Sequence, residues 1–162
     1  MRRNKALIFC LLLTHLLSLS SLCWAWTGKV VGVTDGDTIK VLNEGKEVKI
    51  RLYGIDCPEK GQAFSRKAKQ FTSDMVFGKE VEVKQMDTDR YGRTVAMMAI
   101  DKQFLNEELV KAGLAWVYPR YCNETICNVW HDIQIKAKME KQGLWADPKP
   151  VAPWGYKRRK GK

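Results

Sequence analysis

Histidine is nearly missing from this chain of 162 residues, which holds only His15 and His131. His15 lies in an apolar leader, so a mature form would keep one imidazole. That scarcity excludes a multi-histidine zinc site, a two-histidine phosphodiesterase and a Cys/His zinc finger. Five cysteines are too few for a disulfide scaffold. No acidic side chain precedes Asp35, and the chain has no internal repeat. Apolar and basic residues are what the sequence has in quantity. An apolar share of 45% with six Trp, five Tyr and five Phe excludes disorder along the whole chain. The 28 Lys and Arg outnumber 18 Asp and Glu, for a formal charge of +10. The length suits one compact domain with a tail or two.

Met1 to Lys5 is basic, Ala6 to Leu22 is an apolar run rich in Leu and Ser, and Cys23-Trp24-Ala25 follows. A basic n-region, an apolar h-region and small residues flanking a cleavage point describe a secretory signal peptide over residues 1–25, cut after Ala25. The alternative is an uncleaved anchor, but the run falls short of the ~20 residues that span a bilayer. A lipoprotein reading of Cys23 is disfavoured by the bulky Leu22. Export leaves 25 basic against 18 acidic side chains, or +7. Such a charge favours polyanions: nucleic acid, anionic lipid or acidic glycan. Of the three cysteines left, Cys122 and Cys127 are plausible disulfide partners in an oxidising compartment, with Cys57 a free thiol.

The mature chain reads as a domain over residues 26–147 and a Pro-containing basic tail over 148–162. Lys29 to Thr34 is a β-branched strand that ends at the turn signal Asp35-Gly36. Thr38 to Leu42 and the alternating Val48, Ile50 and Leu52 add two more strands. The period then becomes helical, with Phe64, Ala68, Phe71 and Met75 on one face and Gly78 as the stop. Strands follow at Glu80 to Met86 and Arg93 to Ile100. A short helix (Leu105, Leu109, Ala112) and a last one (Ile126, Trp130, Ile133, Ala137) complete the domain. Five short antiparallel strands with a helix between the third and fourth give an α+β fold: a five-stranded antiparallel OB-fold barrel with three helices. The tail, with three Pro and Lys157-Arg158-Arg159-Lys160, reads as solvated.

Three polar clusters have no structural reason in such a meander: Asp35-Gly36-Asp37-Thr38, Arg51 with Asp56-Cys57-Pro58-Glu59, and Asp89-Arg90-Tyr91-Gly92-Arg93. Each alone is a common turn or helix entry. Together they bring arginines and carboxylates to strand ends. Carboxylates with carbonyls and waters suit a hard cation such as Ca²⁺. Two guanidinium forks suit a phosphate. These are the parts of a phosphodiester hydrolase.

The ordered set Asp35-Gly36-Asp37-Thr38, Ile50-Arg51-Leu52, Asp56-Cys57-Pro58-Glu59 and Tyr91-Gly92-Arg93 closely resembles the staphylococcal nuclease (thermonuclease) family, as does Leu105 to Ala115. The resemblance spans about Lys29 to Trp145. It implies a Ca²⁺-dependent nuclease that cuts DNA and RNA with low sequence specificity and leaves 3′-phosphate ends. It further implies that Asp37 and Asp56 are carboxylate ligands of Ca²⁺, that Cys57 adds its backbone carbonyl, and that Asp35 acts in the outer shell. Glu59 would be the general base or orient the attacking water, and Arg51 and Arg93 would grip the scissile phosphate. Arg90, Tyr91, Tyr118 and Tyr121 would contact the nucleotide, although barrel-rim packing explains them equally well. An exported, periplasmic or extracellular monomer is the expected form.

The sequence departs from the family in two places. The lysine-rich loop after Pro-Glu is shortened to Lys60-Gly61-Gln62, and Cys57 replaces the usual Thr. A thiol there is expected to make activity sensitive to oxidation. Two other readings stay open: an OB-fold module that binds nucleic acid without cutting it, and a surface binder of anionic lipid or glycan. The second leaves the acidic cluster unexplained.

Overall fold

The computed structural model describes residues 25–160, so the leader expected over residues 1–25 lies outside the described part except for Ala25. Strand β1 (Ala25–Asp35) turns through Gly36 and Asp37 into β2 (Thr38–Asn43), with Asp35 opposite Thr38. β3 (Lys46–Leu52) continues the antiparallel meander, setting Ile39 against Ile50 and Val41 against Val48. The other edge of β1 pairs with β5 (Glu80–Thr88), which pairs with β6 (Thr94–Ile100). β6 then returns to β3, placing Arg51 beside Val95 and Leu52 beside Ala96, and the barrel closes. The five-stranded barrel is as expected, except that this closing pair is parallel. A parallel pair needs a long crossover, and the intervening helix and hairpin supply it. Closure removes the exposed edges of an open sheet.

Period-2 alternation fills the interior: Val30, Ile39, Val41, Ile50, Val83 and Met98 are buried almost completely. Helix α1 (Ser65–Val76) covers one end. Its deepest line is Ala68, Thr72 and Val76, with Phe64, Phe71 and Met75 partly buried beside it. The expected face is thus slightly rotated. The cause is close approach to the Gly36 turn, where only a small Ala68 fits and Thr72 Oγ1 donates to Gly36 O at 2.6 Å. Gly78 ends the helix at φ 76°, a left-handed conformation, and its N–H donates to Val30 O.

After β7 (Gln103–Phe104), α2 (Leu105–Lys111) buries Leu105, Leu109 and Val110. It also buries Asn106, whose side chain accepts from Met98 N–H and donates to Tyr53 O. α3 (Ile126–Met139) buries Trp130, whose Nε1 donates to Glu107 on α2. The disulfide expected between Cys122 and Cys127 is present, and it ties the loop ahead of α3 to the first turn of that helix. Two short strands, β4 (Ile55–Asp56) and β8 (Trp116–Val117), pair so that Asp56 lies opposite Trp116. A 3₁₀ turn at Gly143–Ala146 leads to the tail. Residues 153–160, read from composition as part of a solvated segment, form a fourth helix, α4 (Pro153–Lys160), and fold back onto the domain. Pro153 begins it and Trp154 packs on Trp116 and Tyr118, so the aromatic content of this basic stretch outweighs its polarity.

Candidate functional site

The β1–β2 turn, the end of β3 and β4 meet at one end of the barrel. Leu52 N–H donates to Asp37 O, which ties the turn to β3. Asp37 is buried, and its Oδ2 accepts from the backbone N–H of Cys57 at 2.6 Å. Asp35 Oδ1 accepts from Asp37 N–H, so the outer carboxylate orients the inner one. Gly36 between them is forced by packing. A Cβ there would stand 2.8 Å from Ala68 Cβ and 2.9 Å from Cys57 Sγ.

Arg51 enters this cluster from β3. Its guanidinium lies 3.2 Å from Asp37 Oδ2 and 2.7 Å from Asp56 Oδ1, and it donates to Leu52 O. Burial opposes its charge, but Asp37 and Asp56 outweigh burial and raise its pKa. Asp56 is 2% exposed, and its second oxygen, Oδ2, is buried with no partner. Burial, together with Asp37, raises the Asp56 carboxyl to about 6 despite the pull of Arg51. Asp35 is likewise raised to about 6, by burial and then by the charge of Asp37.

An orphaned buried carboxylate oxygen beside a second buried carboxylate is a place for positive charge beyond Arg51. Among the described residues no three His, Cys, Asp or Glu are arranged as a metal cluster. A cation here would therefore draw on Asp37 and Asp56, with backbone carbonyl and water completing the shell. That oxygen-only donor set fits a hard ion such as Ca²⁺. Cys57 follows Asp56 in the chain, and its backbone N–H is bonded to Asp37. Its thiol behaves differently from the expectation. It is 2% exposed, and burial, followed by the charge of Asp37, pushes its pKa well above the usual thiol range. A buried thiol held protonated reacts poorly, so oxidation sensitivity at Cys57 is not what this geometry produces.

Glu59 follows on a half-buried loop. Its N–H donates to Gln62 Oε1, and its Oε1 meets Lys157 Nζ of α4 at 2.8 Å. The same ammonium lies 3.7 Å from Asp56 Oδ1. Burial lowers the Lys157 pKa, but the bond to Glu59 and the charge of Asp56 more than offset it.

Arg93 immediately precedes β6, whose Val95 lies opposite Arg51, so its backbone runs beside β3 two residues short of Arg51. Its guanidinium is held by Asp89, with Nε and Nη2 each 2.7 Å from Oδ2. Asp89 also accepts from the N–H groups of Tyr91 and Arg93. Those bonds outweigh its slight burial and keep its carboxyl below the usual range. Tyr91 is exposed, with Arg90 4.9 Å above its ring and donating to its hydroxyl. Tyr121 is exposed too, and Tyr118 stands edge-on to it. Neither Tyr91 nor Tyr121 belongs to the buried core.

Asp37, Arg51, Asp56 and Cys57 are thus in direct contact and Glu59 joins them through Lys157, whereas the side-chain contacts of Arg93 are with Asp89 and Tyr91. The structure adds three residues that have no role in the expected site. Asp89 opens the third polar cluster, and its spacing of four residues from Arg93 is the signal for their pairing. Lys157 and Trp154 belong to the stretch expected to be solvated, where Pro-Trp-Gly-Tyr is unusually aromatic for a tail.

The family model described as "Staphylococcal nuclease homologue" matches residues 49–147. The chain is 42% identical over 140 residues to a protein named "Uncharacterized endonuclease" of Escherichia coli, covering 86% of this chain and 90% of that protein. It is 37% identical over 145 residues to a "Micrococcal nuclease" of Shigella flexneri, covering 83% of each. It is also 35% identical over 115 residues to "Staphylococcal-like nuclease CAN1" of Arabidopsis thaliana, covering 71% of this chain and 35% of that protein.

Proposed function

The chain belongs to the staphylococcal nuclease family, and on that premise we propose that it is an exported Ca²⁺-dependent nuclease that hydrolyses DNA and RNA with little sequence preference. The observation that carries the metal requirement is Asp56 Oδ2, buried without a partner in a cluster that already holds Asp37. When bound there, Ca²⁺ would polarise a non-bridging phosphate oxygen and neutralise charge. No described helix is long and apolar enough to cross a membrane.

Hydrolysis that leaves a 3′-phosphate requires water to attack phosphorus while the P–O5′ bond breaks. Glu59, half-exposed beside the carboxylate pair, takes the proton of that water, and the 5′-oxygen is protonated from solvent. Negative charge grows on the non-bridging oxygens in the five-coordinate transition state. Arg51 and Arg93 stabilise it electrostatically, since a guanidinium keeps its proton at working pH. Arg51 is held charged between Asp37 and Asp56, and Arg93 is braced by Asp89, so neither has to reorganise during the step. Exposed Tyr91 and Tyr121 offer faces on which any base can stack, which favours low specificity.

Incubating the purified protein with plasmid DNA, in Ca²⁺ or in chelator, tests this reading. Degradation only with Ca²⁺, lost in Arg51→Ala, is the expected result. A mobility shift without cleavage would instead favour a module that binds nucleic acid but does not cut it.

A further inference from the structure

We propose that helix α4 is a built-in competitor for the cleft, with Trp154 on Tyr118 where a nucleobase would stack and Lys157 supplying the positive charge that a divalent cation would bring. This rests on the metal and base assignments above. Three contacts hold the segment in place. Gln62 Nε2 donates to Val151 O at 2.6 Å, on the same short loop that carries Glu59. The indole of Trp154 lies 4.5 Å from the Tyr118 ring at 9°, essentially parallel. Lys157 Nζ bridges Glu59 at 2.8 Å and Asp56 at 3.7 Å.

The ring geometry of this contact differs from that of its neighbours. The neighbouring pairs Trp116–Trp145, Trp116–Trp154 and Tyr118–Tyr121 cross at 62°, 75° and 83°. Among the ring pairs of the described residues, only Trp154 on Tyr118 adopts the face-to-face arrangement that a base takes on an aromatic side chain. The charge argument is equally direct. An ammonium paired to Glu59 ties up the proposed base, and beside Asp56 it repels a second cation. Yet it leaves Asp56 Oδ2 unpartnered, so it substitutes for a divalent ion only in part.

The docking is also built to come apart. Eight residues make a helix that is marginal without its contacts. A half-open pocket of about 280 Å³, lined by Pro58, Phe64, Trp116, Val151, Tyr156 and Arg159, lies between the segment and the domain, so part of this contact faces solvent. Lys157, Arg158 and Arg159 stand in a row, exposed, so an incoming polyphosphate attracts the same helix that it must displace. Because coupling is reciprocal, Ca²⁺ loosens α4 by the factor by which α4 weakens Ca²⁺.

The test uses the full chain and two probes: Ca²⁺ alone, by calorimetry, and a short single-stranded DNA in chelator, where nothing is cut. Lys157→Ala is expected to bind Ca²⁺ roughly tenfold more tightly, the scale of removing a like charge about 4 Å away in a partly screened site. Arg158→Ala, on the same helix but outside these contacts, should leave Ca²⁺ affinity unchanged. Trp154→Ala should bind the oligonucleotide more tightly, and in the parent protein the amides of residues 153–160 should exchange faster once the oligonucleotide is bound. Equal or weaker Ca²⁺ binding by Lys157→Ala overturns the proposal and leaves the nuclease reading standing. Weaker oligonucleotide binding by Trp154→Ala overturns it as well, since the indole would then be part of the substrate platform. Tighter Ca²⁺ binding without any cleavage supports the proposal and sinks the nuclease reading. Ca²⁺ binding to neither protein overturns both.

Discussion

Arg51 donates a 2.7 Å hydrogen bond to Oδ1 of Asp56, and the other oxygen of that carboxylate is buried without a partner. Half of the carboxylate is matched by the protein and half is left for something else. The same guanidinium reaches Asp37, so one arginine holds two carboxylates that would otherwise repel each other.

Arg51→Ala is therefore expected to do two separable things. In chelator it leaves Asp37 and Asp56 facing each other without their main cation, and stability should fall by about 3 kcal/mol, the low end for breaking a buried pair. Saturating Ca²⁺ should restore most of that loss, because the metal supplies the missing charge. Cleavage should remain down by on the order of 10² or more even with Ca²⁺, as on removing an oxyanion donor. Thermal unfolding with and without Ca²⁺, beside a rate measurement, reads both effects. A stability loss that Ca²⁺ does not reduce would count against a shared site.

The metal-free protein should lose stability as pH rises through about 4 to 6. Asp35 and Asp56 have folded-state pKa values of about 6 against an ordinary 3.8. Between those values the folded chain binds more protons than the unfolded one, so stability falls with rising pH. For Asp56, which is 2% exposed, two units correspond to roughly 3 kcal/mol at most. Asp89 acts in the opposite sense and below this window, since its pKa is lowered. Denaturant midpoints in chelator from pH 4 to 7 should show the decline, and Asp56→Asn should flatten it. A rise across that range in the parent protein would contradict the burial argument.

Most of the barrel was legible because its strands obey a period of two and its turns carry Asp-Gly and Asn-Glu-Gly signals. Alternation puts Ile39 with Val41 and Val48 with Ile50 on one side of their strands, and the turn between β2 and β3 then pairs Ile39 with Ile50 and Val41 with Val48. The site was legible as residue types at strand ends, with the family resemblance supplying their roles. Contacts between segments distant in sequence were not. Nothing local in Lys157 says that it meets Glu59, and nothing in Cys57 says that Gly36 and Ala68 close over it. The parallel closure of β3 on β6 was also hidden, since alternation gives the faces of a strand but not the direction of its neighbour.

Asp89 is expected to act on the reaction through Arg93. Its carboxylate takes both Nε and Nη2 of that side chain and the backbone N–H of the same residue, which fixes where the guanidinium points. Asp89→Asn keeps an acceptor but loses the charge-assisted bonds, and should lower kcat several-fold with less change in KM. Asp89→Ala should lower it by on the order of tenfold. If the loss appeared in KM alone, Asp89 would be shaping the exposed Arg90–Tyr91 surface instead.

Gly36→Ala separates packing from charge at the site. The added methyl would stand 2.8 Å from Ala68 Cβ and 2.9 Å from both Cβ and Sγ of Cys57, inside van der Waals contact on two sides. None of these neighbours is the far end of a flexible side chain, so backbone must move. Overpacking of this kind costs about 1–3 kcal/mol. The turn that would shift is the one that presents Asp37, whose Oδ2 accepts from Cys57 N–H, and whose preceding carbonyl, Gly36 O, accepts from Thr72. Ca²⁺ affinity should therefore fall together with stability, although no charged group has changed. Cys57→Ala removes only the sulfur and leaves the Cβ and Ala68 clashes, so it should rescue the variant in part. Calorimetric Ca²⁺ affinity set beside the unfolding midpoint of Gly36→Ala checks the coupling. Full Ca²⁺ affinity at reduced stability would show that the turn bends without carrying Asp37 with it, and would place the cation away from that carboxylate.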